Sequence, residues 1–304
     1  MNEFADELDD FRDLVRITAD RTGLPAAAVE KDYYVVRALR ILIGEMPEQF
    51  IFKGGTSLSK GWDLIKRFSE DIDILFVSEE NGTRLSKGEL DRRMKKAEEI
   101  LTADSRFEGE FVTSSKGVHR TIQLNYSSDF EPVASIPAKI LVEMGTRGGL
   151  FPQEKREITS YMFDIAGSGI AEDLEPISVD CLDFRRTFVE KLFTIYAAFE
   201  KDLAKGKMRH YYDLYMLTER EDVVEFIGSD DFQEIFEDVR GFSEISFPGQ
   251  VCPPNSSYSE WPALYPNENS RAAMNADYRS NRDLFFTEPP TLDRILEKLQ
   301  AVLK

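Results

Sequence analysis

The stretch IFKGGTSLSKGWDLIKRFSEDIDILF, Ile51 to Phe76, decides the fold. An apolar pair runs into Gly54-Gly55-Thr56-Ser57, a segment of helical composition follows, and the chain reads Ser69-Glu70-Asp71-Ile72-Asp73 before turning apolar again. The pattern predicts a strand at residues 50–52, a glycine turn, a helix over residues 57–66 and a second strand. Successive strand side chains alternate faces, so Asp71 and Asp73 point one way while Ile72 and Ile74 point the other. Two carboxylates that close repel each other unless a cation sits between them. Magnesium suits that position, because it takes hard oxygen ligands and keeps room for substrate phosphates. Backbone N–H groups of the Gly54–Ser57 turn, at a helix start, are donors for those phosphates. Thr56 and Ser57 add candidate hydroxyl donors, Ser57 being equally an N-cap. Lys53, Lys60, Lys66 and Arg67 form a local basic cluster, the sign of charge a triphosphate pocket requires. The stretch therefore describes a nucleoside-triphosphate site.

Composition sets the limits around it. With 304 residues, 42% hydrophobic and 31% charged, the chain is that of a soluble globular protein of one large or two medium domains. Lys and Arg number 38 against 56 Asp and Glu, a net charge of −18, which argues against a broadly basic nucleic-acid surface while leaving room for a local groove. The two cysteines, Cys181 and Cys252, lie far apart in unlike surroundings, so neither a disulfide framework nor a thiolate metal site is expected. The acidic start lacks a signal-peptide core, and no apolar run reaches the roughly 18 residues of a membrane span. No membrane association and a cytoplasmic location are the expectation.

Along the chain, helices are expected over residues 2–19 and from Pro25 to Gly44. The second carries Glu30-Lys31-Asp32-Tyr33, in which Lys31 and Asp32 read as a solvated helical face. Asn81-Gly82 marks a turn, residues 87–101 a charged amphipathic helix, and residues 107–112 and 118–126 an antiparallel pair. In the strand at residues 138–144, AKILVEM, Glu143 ends an apolar run, so it lies either at a sheet edge in water or facing a metal. Residues 152–163 and 177–179 read as short strands or extended connections. From Phe184 the composition turns helical, through residues 184–201, a basic loop from Lys205, a second amphipathic helix, an acidic helix ending in a strand-like Glu244-Ile245-Ser246-Phe247, and closing helices at 274–286 and 291–303. The expected class is α+β: a core with a small mixed sheet over residues 1–180, then a mainly helical domain over 181–304.

FKGGTSLSK followed by RFSEDIDI resembles the AbiEii/AbiGii toxin family of nucleotidyltransferases. The resemblance extends to Glu30–Tyr33, to Lys191 in a Glu-Lys-Leu helix, to Arg209 and Asp213 in an Arg-x-x-Tyr-Asp-Leu segment, and to residues 274–303. It implies a polymerase-beta-like core and magnesium-dependent transfer of a nucleoside monophosphate from a nucleoside triphosphate to an acceptor hydroxyl. RNA, tRNA in particular, would be the acceptor, in a toxin–antitoxin or phage-defence setting with a cognate antitoxin as partner. Asp71 and Asp73 would hold metal, with Glu143 as a third carboxylate that binds a second metal or deprotonates the attacking hydroxyl. Lys53, Gly54, Gly55, Thr56 and Ser57 would meet phosphates, and Lys191 the triphosphate oxygens. Arg209 would serve that pocket or the acceptor's, and Asp213 would orient Lys191 or assist proton transfer. From the residues alone, Lys191, Arg209 and Asp213 read as a plain salt bridge on helices. Ser69 matches a position phosphorylated in some relatives, where roughly −1.5 to −2 of charge would compete for magnesium. The reaction is expected in a cleft between the α/β core and the helical part. Three other readings stand beside it: an antibiotic-type small-molecule nucleotidyltransferase, which the acidity favours, a kinase-like phosphotransferase, and a nucleotide-binding scaffold.

Overall fold

The computed structural model describes residues 8–303 apart from 70, 134, 201–205, 247, 248, 250 and 255–257. Phe4 of the first expected helix, Lys205 of the basic loop and Phe247 lie outside the described residues. The chain divides into two compact units. The first comprises Met1–Trp62, Phe68–Thr146 and Gln153–Cys181, the second Asp63–Arg67, Arg147–Pro152 and Leu182–Lys304.

The first unit is built on period-two alternation. Its strands are β1 (Phe50–Lys53), β2 (Asp71–Phe76), the short hairpin β3 (Glu79–Glu80) and β4 (Thr83–Arg84), then β5 (Glu108–Ser115), β6 (His119–Asn125), β7 (Lys139–Gly145), β8 (Gln153–Ile158) and β9 (Ile177–Leu182). Seven of them form one mixed sheet in the order β5-β6-β7-β2-β1-β9-β8. β2 runs antiparallel to β1 and parallel to β7, and β1 is parallel to β9. On one face Ile72, Ile74, Ile122, Leu124, Ile140, Val142 and Met144 are buried. Helices α1 (Leu8–Thr22), α2 (Ala26–Glu45), α3 (Gly54–Lys60), α4 (Lys87–Thr102) and α5 (Tyr161–Ala166) complete the unit. Val29, Tyr33, Val36 and Leu39 of α2 and Met94, Ala97 and Leu101 of α4 close over the core.

Local signals explain most boundaries. Pro25 sits at the N-cap of α2, where its missing N–H costs nothing. Ser86 caps α4 by accepting the Glu89 N–H at 3.1 Å, and Asn81 and Gly82 both take positive φ (50° and 73°), as a tight hairpin turn requires.

Four expectations need correction. The helix expected over residues 57–66 is Gly54–Lys60. Gly54 takes φ +76°, so the chain leaves β1 directly into helix, and the glycines form its first turn rather than a loop ahead of it. Tyr161–Phe163, expected extended, is helical because the Ser160 hydroxyl caps the Phe163 N–H at 3.2 Å. Glu244–Ser246, expected in a strand, complete the last turn of a helix. The helix expected at 274–286 runs instead from Glu268, where Asn267 caps the Ser270 N–H, to Ser280.

The second unit is helical: α6 (Phe184–Glu200), α7 (Met208–Thr218), α8 (Glu221–Ile227), α9 (Asp230–Ser246), α10 (Glu268–Ser280) and α11 (Leu292–Val302). Phe188, Leu192, Leu214, Phe236, Ile295 and Leu299 are buried in its core with Trp261, which packs edge-on to Tyr196 at 4.9 Å. A mixed sheet in the N-terminal part followed by a helical C-terminal part is the expected α+β class. No helix among the described residues is long and apolar enough to cross a membrane.

Candidate active site

Strand register assembles the carboxylates. Lys53 lies opposite Asp73, Asp73 beside Glu143, and Glu143 opposite Thr121, so β1, β2, β7 and β6 contribute one row. Asp71, two residues before Asp73, shares its face. This is the face opposite Ile72 and Ile74; Asp71 and Asp73 are half-buried there and Glu143 is exposed. Gly54 fits against this row as no other residue would. A Cβ on it would stand 2.0 Å from Asp73 Oδ2 and 2.7 Å from Cγ.

The hydroxyls behave differently from the backbone. Thr56 Oγ1 donates to the Asp71 carbonyl, which ties α3 to β2 and takes that hydroxyl away from any phosphate. Ser57 is 2% exposed, beside Cys181, whose thiol burial pushes up to about 12. What the Gly54–Ser57 segment presents is its first-turn backbone, to which the side chain of the N-cap residue Lys53 gives no capping hydrogen bond. Lys53 is half-buried at the N-cap of α3, and Ser69 is half-buried two residues before Asp71.

The Glu30-Lys31-Asp32 charges are not a solvated face: the three residues are 2%, 1% and 4% exposed. Asp32 Oδ1 lies 2.7 Å from Lys60 Nζ, and Asp32 Oδ2 accepts the Tyr161 N–H at 2.7 Å. Lys60 Nζ also sits 3.9 Å from the centre of the Tyr161 ring. Burial pushes the Asp32 carboxyl up, against the pull of Lys60 and the Tyr161 N–H. Lys31 Nζ stands 5.5 Å over the Phe68 ring. Burial also pushes the Glu30 carboxyl up to about 7. Sequence reasoning assigned Lys60 to a triphosphate; its ammonium is neutralised by Asp32, a partner that spacing along the chain could not reveal.

In the second unit, Arg67 binds both oxygens of Asp213, Nε and Nη2 each at 2.7 Å. Lys191 Nζ approaches the same carboxylate at 2.8 Å and His210 Nδ1 at 3.5 Å. Asp213, Arg67 and Lys191 are 0%, 3% and 5% exposed. Burial alone would raise the Asp213 carboxyl, but Arg67 and Lys191 override it and hold it well below the usual range. Burial and the Lys191 charge keep His210 neutral, its pKa well below 6.5. Lys191 thus has a carboxylate and a neutral imidazole as acceptors, and two cations share one anion. Arg67, expected among the free phosphate-binding cations, is chelated by Asp213, while Lys66 is exposed. Arg209 is half-buried in the first turn of α7. His210 was not singled out from the sequence, although its three-residue spacing from Asp213 places both on one helix face.

Among the described residues no three His, Cys, Asp or Glu side chains are grouped to hold a metal ion by themselves. Magnesium needs no such cage: one or two carboxylates with substrate phosphates are its usual company, and Asp71 and Asp73 on one strand face supply the pair. The donor set, all carboxylate oxygen, is also the one magnesium prefers.

A family model described as "Nucleotidyl transferase AbiEii toxin, Type IV TA system" matches residues 37–301. No curated protein matches the chain.

Proposed function

The chain belongs to the AbiEii family of nucleotidyl transferase toxins of type IV toxin–antitoxin systems, and on that premise we propose that it moves a nucleoside monophosphate from a nucleoside triphosphate to a hydroxyl of an RNA acceptor. The observation that carries the reading is the carboxylate row, Asp71 and Asp73 beside Glu143, with Asp73 seated on Gly54. Magnesium held by Asp71 and Asp73 would neutralise phosphate charge and polarise the bond that breaks. Backbone N–H groups at Gly54 and Gly55 donate to phosphate oxygens. Glu143 takes the proton of the attacking hydroxyl. That oxygen bonds to the α-phosphorus as the bond to the bridging oxygen breaks, and pyrophosphate leaves. Within the helical unit Asp213 orients Lys191, as its 2.8 Å contact supports.

The toxin–antitoxin classification of the family supports a cognate antitoxin as partner. The net charge of −18 favours one other acceptor, a cationic small molecule drawn to an acidic protein. Each of the four triphosphates, labelled at the α-phosphate, is incubated with the protein, magnesium and either total tRNA or an aminoglycoside panel. Label recovered in tRNA is expected. Label recovered only in the small molecules transfers the assignment to them.

A further inference from the structure

The Glu-Lys-Asp-Tyr stretch of α2 has no part in the chemistry above, yet it buries a carboxylate on the segment that meets Asp73. We propose that Asp32 is a positioning residue: through Lys60 it locks α3 so that Gly54 is pressed against the Asp73 carboxylate. The inference rests on the nucleotidyltransferase reading of Asp71 and Asp73.

The contacts form a continuous strut. At the far end of α3, Lys60 Nζ meets Asp32 Oδ1 at 2.7 Å, with both side chains below a tenth exposed. Asp32 is itself fixed, because its second oxygen accepts the Tyr161 N–H at the start of α5 and the Tyr161 ring covers the Lys60 ammonium. The helix between is seven residues long, about 10 Å at 1.5 Å per residue, so a shift of Lys60 is transmitted rather than absorbed. At the near end two contacts translate its position into the site. Thr56 Oγ1 donates to the Asp71 carbonyl, and Gly54 approaches Asp73 so closely that a methyl group would overlap its carboxylate. Gly61, just past the helix, is similarly tight, with Cys181 Sγ 2.9 Å from where its Cβ would be and Arg156 Nε donating to its carbonyl at 2.8 Å. So short a helix is not held by its own hydrogen bonds, and its orientation depends on such tethers. A buried ion pair is a weak source of stability compared with apolar replacements, so the contribution assigned to this one is positional.

The test removes the ionic tether without stranding a charge. Asp32→Asn keeps an acceptor for the Tyr161 N–H, and Lys60→Met removes the cation, so the double variant D32N/K60M has no unpaired buried charge. Its circular dichroism and thermal midpoint are expected to stay near wild type. Amide hydrogen exchange over residues 54–60 is expected to quicken by about tenfold as local opening becomes easier. KM for the triphosphate should rise at least about tenfold, since displacements near 1 Å at a reacting centre cost up to about 100-fold. Unchanged exchange in 54–60 together with an unchanged KM overturns the proposal. Quickened exchange in a protein whose wild type transfers no nucleotide keeps the strut and removes the nucleotidyltransferase reading. The single variant D32N, which removes the anion but leaves an amide oxygen beside Lys60, serves if the double variant does not fold. It should quicken exchange in 54–60 by about threefold, and no change there also overturns the proposal.

Discussion

Replacing Glu30 by Gln should stabilise the protein, and do so only at neutral and alkaline pH. Glu30 of α2 is 2% exposed, and its Oε2 has no hydrogen-bond partner. Burial raises its carboxyl from an ordinary 4.5 to about 7, the Asp129 charge adds to the rise, and the Ser128 hydroxyl and Asp129 backbone oppose it. At 1.36 kcal/mol per pH unit this rise is worth about 3 kcal/mol. The folded value lies above the unfolded one, so the folded state binds the extra proton between pH 4.5 and 7. The contribution is therefore complete below about pH 4.5 and is lost as pH rises through 7. By pH 8 the wild type holds a buried carboxylate that E30Q lacks. Urea unfolding of both proteins at pH 5, 6, 7 and 8 reads the difference directly. E30Q should gain on wild type by about 3 kcal/mol from pH 5 to pH 8, or about 6–12 °C in thermal midpoint at 2–4 °C per kcal/mol. A difference that stays constant across that range would refute the reasoning, because it would place the Glu30 carboxyl in water or against a cation.

Two further substitutions probe the sites. Asp213→Asn leaves Arg67 and Lys191 buried without their shared anion and should cost about 3–5 kcal/mol in urea unfolding, whereas a loss under about 1 kcal/mol would mean the cations are solvated. Gly54→Ala places a Cβ 2.0 Å from Asp73 Oδ2 at a φ of +76°, so it should cost about 1–2 kcal/mol of stability and at least about 100-fold in kcat/KM for the triphosphate. Near-wild-type kcat/KM in G54A would show that the Gly54–Asp73 approach does not serve the chemistry.

What was legible in the sequence was local. Alternation in Asp71-Ile72-Asp73-Ile74 reads off a strand with both carboxylates on one face, and the strand bears this out, as Ile72 and Ile74 are buried behind it. The charged amphipathic helix read over residues 87–101 is present as Lys87–Thr102. What was hidden were long-range partners. Lys31 and Asp32 read as a solvated face because charges usually are, and nothing in α2 announces that Lys60 will meet Asp32 in the interior. In the same way Lys60 and Arg67 read as cations for phosphate, while Asp32 and Asp213, 28 and 146 residues away along the chain, take them instead. The helical start at Gly54 escaped for a backbone reason: glycines usually mark a loop, whereas here Gly54 and Gly55 form the first turn of α3.

The most direct measurement follows the fate of two labels. Wild type, D71N and D73N are each given RNA, magnesium and a triphosphate labelled at either the α- or the γ-phosphate. With wild type the α-label should enter RNA while the γ-label leaves as pyrophosphate. Both variants should keep the wild-type circular dichroism and transfer less than about 1% of the label, as loss of a metal-holding carboxylate demands. Transfer of the γ-label, or α-label transfer undiminished in both variants, would contradict the assignment of Asp71 and Asp73 to nucleotidyl transfer.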